Sequence, residues 1–254
     1  MTSPPWQTAL VTGASSGLGR GLALWLTRRG VKVWAGARRT AQLEALRAEA
    51  GELLLPLTMD VSDASATFEQ VRALDGESGG LDLVIANAGA GEKTSTRNPD
   101  FASINRMIQV NVAGASATLC GALPGMVERR RGHLVGISSM AGLLAFPGSS
   151  TYCASKAYLK MFLDGLRLDV SRFGIDVTSI HPGFVKSEMT DKNEKQAMPF
   201  LMELEPAIEL MGRALLQRRQ QLRYPWQTSA LVRLASALPV PLWNALASVK
   251  ARKR

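Results

Sequence analysis

Between Thr8 and Gly183, continuous apolar runs of strand length alternate with longer helical patterns, and this alternation leaves few architectures open. TALVTG (8–13), VKVWAGA (31–37), ELLLPLTMDV (52–61), LDLVIANAG (81–89), GHLVGISS (132–139) and GIDVTSIHPG (174–183) read as strands. SGLGRGLALWLTRRG (16–30), TAQLEALRAEAG (40–51) with Thr40 as N-cap, SDASATFEQVRAL (62–74), a long stretch over 101–130 and a stretch from Tyr152 to about 173 read as helices. Strands apolar along their whole length are buried on both faces, which predicts a parallel sheet with helices on either side. Right-handed crossovers then give an α/β doubly wound parallel sheet, whose ligands bind beyond the carboxyl ends of the strands. A chain of 254 residues can bury such a core as one domain, and no repeat or linker divides residues 1–220.

The first strand runs directly into TGASSGLG, Thr12 to Gly19. Gly13, Gly17 and Gly19 give the spacing GxxxGxG, with Ser15, Ser16 and Leu18 between them. Glycines there let the backbone approach a pyrophosphate, while the opening helix offers free N–H groups and a positive dipole end. A glycine triplet alone serves any turn; its place between strand and helix is what makes it informative. At the end of the second strand, where an NAD site carries an acid for the ribose 2′-hydroxyl, the chain has Ala37 followed by Arg38 and Arg39. A guanidinium pairs with a 2′-phosphate that an acid would repel. Two solvated arginines opening a helix is the plain alternative. With the glycine loop upstream, the pair predicts NADP(H) in preference to NAD(H).

In TYCASKAYLKMF (151–162), Tyr152 and Lys156 stand one helical turn apart. A free phenol titrates near pH 10, too high for easy proton exchange at neutrality. A cation about 4 Å away is worth roughly 4 kcal/mol at an effective dielectric of about 20, or about three pKa units. The spacing therefore predicts a Tyr152 phenol drawn down toward the range of a general acid–base catalyst. Ser139 closes the preceding strand thirteen residues upstream and could bond a substrate carbonyl beside that phenol. Tyr-x-x-x-Lys also occurs by chance in helices, and a serine at a strand end also caps turns. The three residues together favour catalysis.

On these motifs the chain resembles the short-chain dehydrogenase/reductase superfamily, in its shorter, single-domain branch, from residue 8 to about 190. TGASSGLG matches the cofactor loop, and Asp60 and Val61 the adenine-contacting pair. ANAG (86–89) matches NNAG with Ala86 for the first Asn, keeping Asn87, Ala88 and Gly89. Asn111 in VNVAG matches the asparagine that holds a relay water, and HPGFVKS (181–187), with Pro182, Gly183 and Val185, matches the stretch that packs on the nicotinamide. The resemblance implies a Rossmann fold and reversible hydride transfer between a nicotinamide and a small carbonyl or alcohol substrate. In it Tyr152 is the proton donor, Ser139 orients the carbonyl, Lys156 binds the ribose and lowers the phenol pKa, and Asn111 links Lys156 to solvent. It also implies a homo-oligomer, dimer or tetramer, through the helices at 101–130 and 152–173. With NADPH, reduction of a ketone or aldehyde is the expected direction.

The family places a lid after HPG, here residues 184–204, within a body spanning 1–224. Phe184, Val185, Met189, Met198, Phe200, Leu201 and Met202 in the lid, and Met140, Leu143, Leu144 and Phe146 after Ser139, either line a hydrophobic pocket or pack the lid on the body. Beyond lies a basic extension, 225–254. From Leu210 onward there are nine basic residues and no acid, so the net charge of +9 belongs entirely to this end. Two short apolar helical stretches split by PVP (239–241), with Trp226, Trp243 and a basic terminus, predict peripheral contact with an anionic membrane. The competing expectation is a clamp on the body or on a second subunit. A neutral body argues against nucleic acid. Cys120 and Cys153 lack metal-ligand spacing, predicting free thiols, no metal and a reducing, cytoplasmic setting. No uninterrupted apolar window of membrane-span length and no secretory-signal pattern is evident. The rivals to an enzyme are a non-catalytic NADPH sensor, which would be expected to have lost Ser139, Tyr152 or Lys156, and a membrane-associated interaction protein.

Overall fold

A computed structural model describes residues 4–191 and 198–252. The apolar runs fold as strands β1 (Thr8–Thr12), β2 (Lys32–Ala37), β3 (Leu54–Thr58), β4 (Leu83–Ala86), β5 (Gly132–Ile137), β6 (Ile175–Pro182) and β7 (Gln221–Tyr224). The intervening patterns fold as helices α1 (Gly17–Thr27), α2 (Thr40–Ala50), α3 (Ala64–Glu77), α4 (Phe101–Ile108), α5 (Ala115–Arg129), α6 (Ser150–Val170), α7 (Glu188–Asp191) and α8 (Leu204–Leu216), followed by α9 (Trp226–Ser236) and α10 (Val240–Arg252). All neighbouring strands pair in parallel, in the order β3-β2-β1-β4-β5-β6-β7.

Adjacent residues of one strand serve opposite cores. Val11 of β1 packs with Leu22 and Leu26 of α1, Leu43 of α2 and Met211 of α8. Leu10 packs on the other face with Val71 of α3, Leu119 and Met126 of α5 and Leu163 of α6. Each such leucine contributes about 1.5–3 kcal/mol on burial, so the continuous apolar strands are explained by two helical layers. Between β1 and β4 the strand order reverses, and the loops leaving their carboxyl ends diverge into a crevice.

Three local expectations are corrected. Thr40 is the first residue of α2 and Arg39 holds the cap position, with no side-chain capping bond. The run 52–61 is a strand only over Leu54–Thr58, because Asp60 accepts from Ser62 N at 3.0 Å and Ser62 Oγ at 2.8 Å, bending the chain out of the sheet. The helical stretch 101–130 is interrupted by a π-helical turn, Gln109–Gly114, where the helix passes so close to Val61 that a Cβ on Gly114 would lie 2.0 Å from the Val61 carbonyl oxygen. Residues Phe101–Arg129 are also long and apolar enough to cross a membrane by composition, yet more than half of the most apolar window is buried inside the protein.

The tail folds back. The Trp243 indole donates to the Ala145 carbonyl at 3.3 Å and meets Phe146 edge-on, ring centroids 6.1 Å apart. Trp243 thus touches the body, while Leu231, Leu234, Leu242 and Leu246 are exposed.

Two glycine substitutions should separate close packing from helix propensity. Gly114→Ala is expected to lose about 2 kcal/mol or more, since Val61 backbone must shift. Gly165→Ala, on α6 with nothing near its would-be Cβ, should gain about 0.5–1 kcal/mol. Urea unfolding of both proteins reads the two signs.

Candidate active site

The glycine loop is fitted against the end of β4. Gly13 has φ +67°, and a Cβ on it would lie 2.7 Å from Ala88 Cα. A Cβ on Gly19 would stand 2.4 Å from both the Gly13 carbonyl oxygen and Asn87 Nδ2. Thr12, buried at the end of β1, joins the two loops: its hydroxyl accepts from Asn87 N at 3.1 Å and Ala88 N at 3.2 Å. Asn87 Nδ2 returns a bond to the Thr12 carbonyl at 2.9 Å. Helix α1 begins at Gly17 with its N-terminus toward this loop, an arrangement that could hold a pyrophosphate.

Arg39 reaches over the loop. Its Nε donates to Ser15 Oγ at 3.1 Å, its Nη2 to Ser15 Oγ at 2.9 Å and Ser16 Oγ at 2.8 Å, and its Nη1 to Glu188 of α7 at 3.0 Å. Arg38 pairs with Asp60 at 3.8 Å. Burial raises the Asp60 pKa, but the bonds from Ser62 and the charge of Arg38 outweigh it and leave the carboxyl below its usual value. Both arginines and Asp60 therefore stand at the mouth of the crevice, and Val61 lies buried beneath.

Across the crevice, the Ser139 hydroxyl stands near enough to the Tyr152 phenol to lower its pKa. Ser139 also caps the 3₁₀ turn Met140–Gly142, its oxygen accepting from Ala141 N at 3.1 Å. Lys156 is buried one turn along α6, and Nζ donates to the Ile137 carbonyl at 2.9 Å. Asn111, buried on the π turn, exchanges bonds with Ala90, Nδ2 to O at 2.8 Å and N to Oδ1 at 2.8 Å, and donates to Ser155 Oγ at 2.9 Å. Gly89 sits between the two: a Cβ there would lie 3.3 Å from Lys156 Nζ and 3.5 Å from Asn111 Oδ1. Pro182 ends β6, and Gly183 N donates to the Tyr224 carbonyl at 2.6 Å, fixing this stretch to β7.

The electrostatics differ from the sequence expectation. Burial pushes the Tyr152 phenol up, and the Ser139 hydroxyl only partly opposes this. Lys156 Nζ lies 5.9 Å from the phenol ring centroid, and burial pushes its own pKa down to about 8. From spacing, a cation about 4 Å away is expected to lower the phenol pKa even after screening and burial trim its effect; in the structure desolvation of both groups prevails.

The apolar residues around the site divide. Met140 and Val185 are core, and Met202 packs on it, joined to the stretch after β6 by Met202 N to Phe184 O at 3.0 Å and Lys186 N to Met202 O at 2.9 Å. Met189 is partly exposed and faces the phenol: a Cβ on Gly91 would lie 3.3 Å from the Tyr152 ring and 3.6 Å from the Met189 sulfur. Phe146 is also partly exposed. The middle of the expected lid, 192–197, lies outside the described residues. Sequence reasoning missed Thr12, Ser155 and Glu188 as contributors. Ser155, three residues after Tyr152 on the same helix, was the one with a readable spacing signal.

Residues 7–198 match the family model for the short chain dehydrogenases. An uncharacterized oxidoreductase of Myxococcus xanthus is 52% identical over 97% of this chain and 98% of its own length. An NADP-dependent 3-hydroxy acid dehydrogenase of Salmonella typhi is 36% identical over 69% of this chain and 71% of its own. Among solved structures, the closed form of a serine dehydrogenase complexed with NADP+ superimposes with a TM-score of 0.79, at 29% identity, covering 87% of this chain and 95% of that one. With its parallel seven-stranded sheet and its crevice between β1 and β4, the chain belongs to the short chain dehydrogenase family of oxidoreductases.

Proposed function

We propose that the protein is an NADP(H)-dependent reductase that converts a hydrophobic ketone or aldehyde to an alcohol. The observation that carries this reading is the juxtaposition of Ser139 and Tyr152 with buried Lys156 one turn away, all at the crevice that the glycine loop lines. The cradle fits a dinucleotide because side chains on Gly13 or Gly19 would collide with the opposing loop, and because Arg39 already holds two hydroxyls beside it. Gly13 to Gly19 would hold the pyrophosphate, Arg38 and Arg39 the 2′-phosphate, Asp60 and Val61 the adenine. Asn87 to Gly89, Lys156 and the Pro182–Val185 stretch would hold the nicotinamide end. Bound there, the reduced nicotinamide supplies a hydride.

The protein's own part is to position a carbonyl and deliver a proton. Ser139 donates a hydrogen bond to the carbonyl oxygen and turns it toward Tyr152. A phenol whose pKa is raised by burial stays protonated at neutral pH, so it is held in the form that donates to an oxygen gaining negative charge. The Lys156 ammonium favours the phenolate that remains, and Asn111 fixes the Ala90 loop beside it. Met189 and Phe146 supply the apolar surface that suits a hydrophobic carbonyl compound. Phe101 and Ile108 on α4 and Tyr158, Met161 and Leu168 on α6 are exposed, which supports a homo-oligomer through those helices.

Oxidation of NADPH followed at 340 nm against ketones, aldehydes, diketones and quinones tests the reading. Tyr152→Phe should lower kcat by about 10²–10⁴-fold, and an unchanged kcat would remove Tyr152 from the chemistry. Arg39→Gln should raise KM for NADPH about 10- to 100-fold while leaving NADH nearly unaffected; a parallel rise for both cofactors would take the 2′-phosphate away from Arg39.

Lys156 is charged below about pH 8 and neutral above. Its help to the phenolate is therefore present at neutral pH and lost on alkalinisation. Reductive kcat is expected to be level from pH 6 to 7 and to fall above about pH 8, while oxidation of the product alcohol, which needs the phenolate, should rise with pH. The same profile in both directions would contradict this assignment.

A further inference from the structure

A cleft of about 540 Å³ opens where β7 meets α9, lined by Arg219, Gln221, Leu222, Arg223, Ser229 and Arg233. None of these residues belongs to the Ser139–Tyr152–Lys156 group. Three guanidinium groups converge on it, and among the described residues no carboxylate lies within ion-pair distance of any of them. From Leu210 onward the chain has no acidic residue to supply one. Asp164, which acts electrostatically on His181 next to the cleft, is itself bonded by Lys160 at 2.7 Å and Arg167 at 2.8 Å.

The bonding within the cleft is incomplete in a way that points to an anion. Arg223 Nε is buried and has no hydrogen-bond partner among the described residues. A buried guanidinium N–H left unpaired is costly, and a bound ion is one way such a group is satisfied. His181, in register with Arg223, is buried and held neutral, its pKa pushed by burial to about 4, so it adds no positive charge of its own beside the guanidinium groups. Arg219 gives Nε to Gln217 at 2.7 Å. Ser229 and Arg233 lie one turn apart on α9, placing a hydroxyl and a guanidinium on the same wall. Planar guanidinium forks facing a hydroxyl match the tetrahedral oxygens of a phosphoryl group, and the volume admits that group with its ester attached.

We infer that this cleft is a second anion site, one that binds the phosphate group of a phosphate ester. The phosphate can come from a soluble phosphorylated compound or from an anionic phospholipid. Leu231 and Leu234, exposed on the same helix as Arg233, give the second source an apolar surface to meet.

The test uses the full chain saturated with NADPH, so that the dinucleotide crevice does not report. Inorganic pyrophosphate is titrated calorimetrically into the wild type and into Arg223→Gln/Arg233→Gln, with Arg219→Gln/Arg233→Gln, both at exposed positions, as the second variant. Binding to the wild type that weakens at least tenfold in either variant with an unchanged Tm is expected. Vesicles of phosphatidylglycerol in phosphatidylcholine then identify the source. Flotation with them, lost in the variants and displaced by pyrophosphate, assigns a lipid; pyrophosphate binding without flotation assigns a soluble ligand. Absent binding, or equal affinity in wild type and variants, overturns the site. So does a variant whose oligomeric state changes while its anion affinity does not, since the arginines would then be contacts between copies of the chain.

Discussion

The contact between Thr12 and Asn87 sets the geometry on which the rest of the site depends. A buried hydroxyl at the end of β1 accepts two backbone N–H groups from the loop after β4, and the Asn87 amide answers with a bond to the Thr12 carbonyl. These bonds cross the point where the strand order reverses, the place at which a doubly wound sheet would otherwise splay open. They hold the two loops so close that Gly13 and Gly19 tolerate no side chain. The distance from the glycine loop to the loop after β4 is thereby fixed by hydrogen bonds inside the crevice.

On the other side of that crevice, burial governs the charges. Lys156 is surrounded by backbone, with Ile137 O as its acceptor and Gly89 against it. Its ammonium is therefore weakly held, and its neighbour Tyr152 is kept as a neutral phenol. A phenol–lysine pair in water would act as a simple charge and its partner. Desolvated, the same pair becomes a neutral phenol next to a cation that is only just stable.

The sheet was legible because strands buried on both faces cannot disguise their composition: Leu10 and Val11 are apolar since each meets a different helical layer. The glycine loop, Arg38, Arg39, Ser139, Tyr152 and Lys156 were legible as residue types at fixed spacings, and the structure brings them to one crevice. What spacing could not give was the medium around them, so the direction of the Tyr152 shift came out reversed. Nor could it give bonds between distant segments, such as Arg39 to Glu188 or Asn111 to Ser155. The π turn was hidden for the same reason, because it answers to Val61, some fifty residues earlier in the chain. The apolar residues of the lid illustrate the ambiguity of composition: Val185 is core and Met189 faces the phenol, yet the two look alike in sequence.

Trp243 gives the tail a purchase on chemistry it does not touch. Its indole hangs from the Ala145 carbonyl and braces Phe146, in the loop that begins at Ser139 and leads into the helix of Tyr152. A sequence change at Trp243 that tilts α10 would act on that loop through a single indole. Drift in a terminal segment thus becomes a route by which such a chain can reshape a loop of its core without altering Ser139, Tyr152 or Lys156.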